Sequence, residues 1–331
     1  MKAAVLDQSD FSIRIEQIAI PVPKRGEVLI KIKAASLNHH ELWTLKEKKQ
    51  YGDFRIVPGA DGAGDVVELG ADCDKTWLGK KVVINPSRNW GSSKSVYGSD
   101  FEILGYPHNG TFAEFVAIEE QYVYEIPSHL SYEEAAALPL AGLTAYRALF
   151  TKGELNRKSK ILITGIGGGV ALWALFFALK MDAKVYVTSG KDDKIKRARQ
   201  AGASGGVNYK NENWKNELAD QADNFDLILD GAAGEGFEIL LHLVKSGGRI
   251  VNFGRTAGLF PAVNPKLLFS KQITIVGTTM GSDDEFRSML YYILYHKLRP
   301  LIDSVYELDQ IQAAFKRMED SEQFGKIILR I

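Results

Sequence analysis

Hydrophobic and polar positions follow two different patterns along the chain. Up to about residue 125, short apolar runs alternate with Gly and Pro, which predicts closely connected β-strands of a small barrel. The predicted strands of this part are Lys2–Leu6, Val28–Ala34, Ala63–Leu69, Lys81–Ile84 and Ala113–Ile118. We therefore expect the chain to begin with a β-rich domain.

From Ser131 the pattern changes to strands that alternate with helices. Ser131 and Glu134 form a capping box, which predicts a helix over Ala135–Leu149. Strands are predicted at 160–164, 184–188, 205–209, 225–230, 249–253 and 273–277, helices at 283–296 and 309–318, and a final strand at 326–331. Such alternation is typical of a doubly wound parallel sheet. We predict an α/β protein with a Rossmann dinucleotide-binding domain (127–266) inserted into a barrel-like catalytic domain (1–126 and 267–331).

A glycine-rich turn follows the first strand of the predicted parallel sheet. Gly165, Gly167, Gly168 and Gly169 separate the apolar run 161–163 from a predicted helix that begins at Val170. Glycines let a backbone turn tightly and approach a pyrophosphate, which a helix N-terminus attracts through its free N–H groups. The strand before the turn, the helix after it and the next strand make a nucleotide cofactor the expected ligand.

Composition excludes several classes of function. The chain has 331 residues, with 41 basic and 41 acidic side chains, so no net charge attracts nucleic acid or an anionic membrane. No apolar run is long enough for a membrane span, and the chain enters a strand without a signal peptide pattern. The single cysteine, Cys73, excludes an internal disulfide, and we expect a cytoplasmic protein.

Four motifs in order resemble the medium-chain dehydrogenase/reductase superfamily, and the resemblance covers essentially the whole chain. The motifs lie at residues 35–41, 58–64, 136–146 and 165–169. The resemblance implies a chaperonin-10-like barrel domain together with a Rossmann domain. Both expectations agree with the hydrophobic pattern.

Many members of this superfamily hold zinc, but the positions of the ligands differ in this chain. Asn38 stands where such relatives have a catalytic cysteine, Ala60 replaces the ligand histidine, Asp61 replaces its neighbouring glutamate, and the third ligand falls near Leu140. The segment 85–109, where relatives hold a structural zinc, contains no cysteine. Zinc requires three or four Cys, His or carboxylate ligands. We expect no metal, and the chain resembles the zinc-independent branch of quinone oxidoreductases.

The end of the second Rossmann strand bears on the choice of cofactor. NAD enzymes place Asp or Glu there for the ribose hydroxyls, whereas this chain has Ser189 followed by Gly190. The resemblance to quinone oxidoreductases assigns Lys194 and Tyr209 to a 2′-phosphate, although a surface lysine and a strand-end aromatic are the alternatives. Gly254 lets the backbone approach the cofactor or serves a tight turn. We predict NADPH.

Hydride chemistry without a metal favours acceptors in which charge can spread. A quinone or an α,β-unsaturated carbonyl meets this condition, because hydride addition gives a phenolate or an enolate. By resemblance, Asn38, Trp43 and Thr144 lie near the nicotinamide; loop fixation, apolar packing and helix packing are their respective alternatives. His39 and His40 are candidate proton donors. Adjacent residues cannot share a strand face, so we expect at most one of them to point into a site, and a structural role is its alternative.

Two other interpretations stay open. The chain is alternatively a non-catalytic NADPH-binding or redox-sensing protein, or a zinc alcohol dehydrogenase. Under the leading interpretation, the expected partner of the protein is a small-molecule quinone or enone, and neither nucleic acid nor a membrane is expected. The apolar strand 273–277 is similar to the edge strand through which family members dimerise, so a homodimer is predicted.

Overall fold

The computed structural model describes residues 1–7, 12–46 and 55–331. The N-terminal part contains β1 (Lys2–Asp7), β2 (Ser12–Gln17), β3 (Glu27–Ser36), α1 (His39–Lys46), β4 (Arg55–Ile56), β5 (Asp61–Leu69), β6 (Lys81–Ile84), β7 (Ser87–Arg88), β8 (Glu102–Ile103), β9 (Phe115–Glu119), β10 (Val123–Glu125), α2 (Tyr132–Ala136) and α3 (Pro139–Tyr146). The central part contains β11 (Lys160–Ile163), α4 (Gly169–Leu179), β12 (Lys184–Ser189), α5 (Asp192–Gln200), β13 (Gly205–Asn208), α6 (Trp214–Gln221), β14 (Phe225–Asp230), α7 (Phe237–Leu243), β15 (Val244–Asn252), α8 (Pro265–Lys271) and β16 (Thr274–Gly277). The C-terminal part contains α9 (Asp283–His296), β17 (Ile302–Glu307), α10 (Ile311–Glu319) and β18 (Lys326–Arg330).

The chain divides into two compact units that differ from the predicted domains in their boundaries. The first unit comprises residues 1–143 and 281–331, and the second comprises residues 144–280. The predicted boundaries lay at 126/127 and 266/267. Residues 127–143 group with the first unit because α2 packs against β3, β5 and β18, and buries Ala135 and Ala136 there.

The first unit is built around a mixed sheet in the order β10-β6-β5-β3-β18-β17, with β9 also paired to β3. Over the described residues, β2, β1 and β4 form a separate sheet. At the end of β3, Ser36 is paired with Asp61 on one neighbouring strand and with Ile328 on the other. This register brings the start of β5 and the start of β18 to the same end of β3.

The second unit contains the predicted parallel sheet. Its strands lie in the order β13-β12-β11-β14-β15-β16, and each neighbouring pair is parallel. The order reverses between β11 and β14, which is the position where doubly wound sheets bind ligands at the carboxyl ends of their strands. Helix α4 is apolar on almost all sides and buries Ala171–Leu175, Phe177 and Ala178; Trp173 stacks on Phe177 with ring centroids 5.2 Å apart. That packing fixes the helix that follows the glycine-rich turn.

Several predicted elements differ in detail. The helix predicted over 135–149 is broken, because Pro139 has no N–H to continue α2 and instead begins α3. A π-helical segment then follows over Arg147–Lys152. The pattern of hydrophobic positions missed the longer strands β2, β10 and β17 and the two-residue strands β4, β7 and β8. In β17 the polar residues Asp303, Ser304 and Glu307 hide the expected alternation.

Within the described ranges, no helix has both the length and the apolar character that a membrane crossing requires.

Candidate active site

The glycine-rich turn of the second unit has the geometry of a phosphate cradle. Gly165 and Gly167 have φ values of +64° and +129°, which residues other than glycine rarely adopt. A Cβ added at Gly165 or Gly168 would meet nothing within 4 Å, so space lies open above the turn. Gly168 is the N-cap of α4 and has no side chain to bind the helix N–H groups. These free donors suit the pyrophosphate of a dinucleotide.

A buried polar network lies at the ends of three neighbouring strands, and the sequence analysis did not predict it. Asp230, at the end of β14, accepts hydrogen bonds from Thr164 Oγ1 at 2.9 Å and Asn252 Nδ2 at 3.0 Å. The same carboxylate accepts from the backbone N–H groups of Ala232 and Ala233. The network joins β11, β14 and β15 where the strand order reverses. Its only sequence signal was a polar residue at the end of each strand.

The end of β12 brings together three of the predicted cofactor residues. Ser189 is buried, and its Oγ accepts from Lys191 N at 3.2 Å, so its own hydrogen is available to another acceptor. A Cβ added to Gly190 would lie 2.7 Å from the Tyr209 hydroxyl and 3.1 Å from Lys210 Cε. Both side chains therefore lie beside this glycine. Lys210 was not predicted, although it directly follows Tyr209 in the sequence.

Other predicted cofactor residues lie in the same unit. Gly169 and Val170 form the first turn of α4, and Lys194 lies on α5, partly exposed. Gly254 follows β15, and a Cβ there would stand 2.7 Å from the carbonyl oxygen of Gly231. Close contact with that backbone is therefore a sufficient reason for glycine at this position.

In the first unit, Asn38, Asp61 and Lys326 form a buried hydrogen-bonded cluster. Lys326 Nζ donates to Asn38 Oδ1 at 2.5 Å, to Leu37 O at 2.8 Å and to Asp61 Oδ2 at 3.1 Å. Asn38 Nδ2 donates to the same Asp61 oxygen at 3.0 Å. Leu140 N donates to Asp61 Oδ1 at 2.8 Å. Asp61 is fully buried, and Lys326 is 4% exposed.

Two further titratable groups adjoin this cluster. Glu41 accepts from the backbone N–H groups of Asn38 and Ala60. Burial, and then the charge of Asp61, raise the pKa of Glu41 to about 7. Burial also lowers the pKa of His40, against an opposing effect of Asp61. His40 Nε2 is buried and finds no hydrogen-bond partner among the described residues.

The remaining predicted residues lie on helices. His39 and His40 begin α1, so the expectation based on a strand face does not apply to them. Trp43 lies on the same helix and is half-buried. Thr144 is buried on α3 and begins the second unit.

The residues present do not fit a zinc ion at the positions that the resemblance singled out. Asn38 and Leu140 both contact Asp61, but Ala60 and Leu140 have no side-chain donor atoms, and an ammonium lies beside Asn38. Among the residues that the structure describes, no group of three His, Cys, Asp or Glu side chains could hold a metal. A dication there would lack ligands and would be repelled by Lys326.

Segment 85–109, where relatives hold a structural zinc, is stabilised here by other interactions. Trp90 lies edge-on to Tyr97 and Phe101, with ring centroids 5.8 and 5.4 Å away. Arg88 forms ion pairs with Glu102 at 2.7 Å and Glu119 at 2.5 Å. Aromatic packing and a largely buried guanidinium therefore hold this segment together.

Comparison with known proteins agrees with this architecture. Residues 24–128 match the family model of the alcohol dehydrogenase GroES-like domain, and residues 169–294 match that of the zinc-binding dehydrogenases. A zinc-type alcohol dehydrogenase-like protein of Leptosphaeria maculans is 36% identical over 100% of this chain and 98% of its own length. A 2-methylene-furan-3-one reductase of Solanum lycopersicum is 32% identical over 94% of this chain and 74% of its own length. The crystal structure of an NAD-dependent alcohol dehydrogenase superposes with a TM-score of 0.92 at 30% identity and covers 100% of both chains. The predicted fold class is confirmed, and the chain belongs to the medium-chain dehydrogenase/reductase superfamily of oxidoreductases.

Proposed function

We propose that the protein is a zinc-independent, NADPH-dependent oxidoreductase that transfers a hydride to a quinone or an α,β-unsaturated carbonyl. The observation that carries this proposal is the set of side chains around Asp61: an amide and aliphatic side chains stand where relatives have zinc ligands, and an ammonium lies beside them. A metal-free site favours conjugated acceptors, because their own π-system spreads the charge that a zinc ion would otherwise stabilise. The reductase of Solanum lycopersicum carries a conjugated methylene ketone in its name, which supports this class of acceptor.

In this proposal the nicotinamide cofactor supplies the hydride, and the side chains bind and orient. The turn at Gly165–Gly169 and the N-terminus of α4 hold the pyrophosphate. Asn38 Nδ2 has two hydrogens and gives one to Asp61, so the other can stabilise the oxygen of the acceptor as charge develops there. Trp43 contributes an apolar wall, and Thr144 contacts the nicotinamide. Positioning of the reactants supplies much of the remaining acceleration.

The end of β12 supports NADPH over NADH. Ser189, in place of a carboxylate, leaves a hydroxyl donor for a 2′-phosphate. The nearest acidic side chain in the sequence, Asp192, already accepts a hydrogen bond from Asn208 at 3.1 Å. We propose that Lys194, Tyr209 and Lys210 supply the charge and the further donor that this phosphate requires.

Cofactor preference can be tested at Lys210 and Tyr209. We expect the unchanged protein to bind NADPH roughly 100-fold more tightly than NADH, and Lys210→Ala and Tyr209→Phe each to lower that ratio about 10-fold, since each removes one phosphate contact. Fluorescence titration with both cofactors measures the ratio. Lys215→Ala, on an exposed face of α6, is the matched control and is expected to leave the ratio unchanged. Equal affinity of the unchanged protein for the two cofactors would contradict the assignment.

The reaction itself is tested by NADPH oxidation with 1,2-naphthoquinone, phenanthrenequinone and a simple enone, combined with elemental analysis of the purified protein. We expect turnover of at least one acceptor by a preparation without stoichiometric zinc. Tight NADPH binding with no turnover would instead favour a redox-sensing protein. About one zinc per chain, together with alcohol oxidation, would favour a zinc alcohol dehydrogenase.

We also propose that the protein acts as a homodimer in the cytoplasm. Strand β16 lies at the edge of the parallel sheet, and Ile275 on it is 37% exposed. An apolar edge strand of this kind is suited to pairing with a second copy of the chain.

A further inference from the structure

The ammonium group of Lys326 is buried in the first unit and is fully hydrogen-bonded. Its ammonium group has three hydrogens, and three oxygen atoms accept them: Leu37 O, Asn38 Oδ1 and Asp61 Oδ2. A charged lysine is almost never buried without a partner, because the loss of hydration must be compensated. In this cluster that compensation is complete.

The carboxylate of Asp61 is equally well satisfied. It accepts from Lys326, from Asn38 Nδ2 and from the backbone N–H of Leu140, and the Ser36 hydroxyl lies 3.0 Å away. Burial, and then the charge of Asp61, raise the pKa of the neighbouring Glu41, so the ion pair of Lys326 with Asp61 lies beside an acid whose charged form is disfavoured. Removal of that ammonium would leave buried negative charge without a counter-ion.

We propose that Lys326 is the resident cation of this centre, in place of a metal ion, and that it positions the Asn38 amide for the acceptor. The Asn38 side chain is held at both ends, since its oxygen faces the ammonium and its nitrogen faces Asp61. A reversed amide would place Nδ2 against Lys326 Nζ and Oδ1 against the carboxylate, and both contacts would be repulsive. Lys326 therefore fixes which end of Asn38 is a donor. This second role rests on the proposed function, whereas the first role does not.

The resident-cation role is tested by a double-mutant cycle on the full chain. Lys326→Met and Asp61→Asn are each expected to lower the Tm by roughly 10 °C, because each leaves one buried charge unpaired. The double variant K326M/D61N has neither charge, and we expect its Tm loss to be clearly smaller than the sum of the two single losses. Lys316→Met, which breaks the exposed pair with Asp320, is the matched control and is expected to change the Tm by about 1 °C or less.

Three results would overturn the proposal that Lys326 is the resident cation. These are additive Tm losses in the cycle, a loss in K326M no greater than that in K316M, and about one zinc per chain retained by the unchanged protein after incubation with zinc chloride and gel filtration. None of these measurements requires an acceptor, so they decide this role even if every candidate acceptor fails.

The positioning role is tested in the double variant, whose charges are balanced again. We expect kcat for the acceptor to fall about 10-fold while the Kd for NADPH changes less than about twofold, because only the orientation of Asn38 is lost. Asn38→Ala is expected to lower kcat in the unchanged protein but to add little in the double variant. Unchanged kcat in K326M/D61N, or full additivity with Asn38→Ala, would overturn the positioning role.

Discussion

Gly168→Asp is expected to weaken dinucleotide binding by roughly 100-fold or more without loss of the fold. The backbone at Gly168 is extended, with φ −79° and ψ 161°, so aspartate is conformationally acceptable. An added Cβ meets nothing within 4 Å, so no neighbouring atom has to move. The new carboxylate would bind the N–H groups at the start of α4 and would occupy and repel the site of the pyrophosphate.

The same change is expected to raise stability slightly. Aspartate is among the preferred N-cap residues, and its charge interacts favourably with a helix N-terminus, so Tm should stay equal or rise. Opposite effects on stability and binding distinguish a ligand site from a purely structural turn. Gly168→Asn is the matched control, because it adds the same volume without the charge and is expected to bind the cofactor more tightly than the aspartate variant. Calorimetric titration with NADPH and thermal unfolding provide both measurements, and wild-type affinity in Gly168→Asp would contradict the assignment of the turn.

The sequence predicted those parts of the fold whose signals are local. The apolar run before Gly165 and the glycines after it were sufficient to predict β11, the turn and α4, because every one of these signals lies within twenty residues of the next. The helix over 283–296 was predicted with the observed bounds. In the structure Ser282 and Glu285 form a capping box at its start, and Lys297 ends it in the left-handed conformation.

Elements whose stability comes from distant partners were harder to predict. Strand β17 has an irregular pattern of polar residues and is held by its parallel partner β18. The broken helix near Pro139 shows the reverse case, in which a strong local signal at Ser131 suggested a continuous helix that proline does not permit.

The site shows the same limit more sharply. Asn38, Asp61 and Leu140 were identified by their motif positions, and the structure brings them into contact. Lys326 was not identified, because a lysine at the start of a C-terminal strand is usually exposed to solvent. Asp61, the partner of Lys326, is 265 residues away along the chain. Only the antiparallel pairing of β3 with β18 shows that the charge of Lys326 is buried.

Asp230→Ala is expected to lower the free energy of unfolding by about 3 to 5 kcal/mol and to weaken cofactor binding as well. The substitution leaves the donors of Thr164, Ala232, Ala233 and Asn252 without their carboxylate acceptor in a buried place. Because these donors belong to three strand ends at the reversal of the sheet, their disorder would also disturb the floor of the predicted nucleotide site.

Urea unfolding and NADPH titration measure the two effects of the Asp230 substitution. Asp230→Asn keeps the shape of the side chain but places an amide N–H₂ against donors, so an intermediate loss of about 2 kcal/mol is expected. Asp223→Ala, at an exposed position before the same strand, is the control and is expected to change stability by less than about 0.5 kcal/mol. If Asp230→Ala were as stable as that control, the network would be incidental to the fold, and the strand ends would have to be held by backbone pairing alone. If stability fell and NADPH affinity did not, the network would support the sheet without shaping the cofactor site.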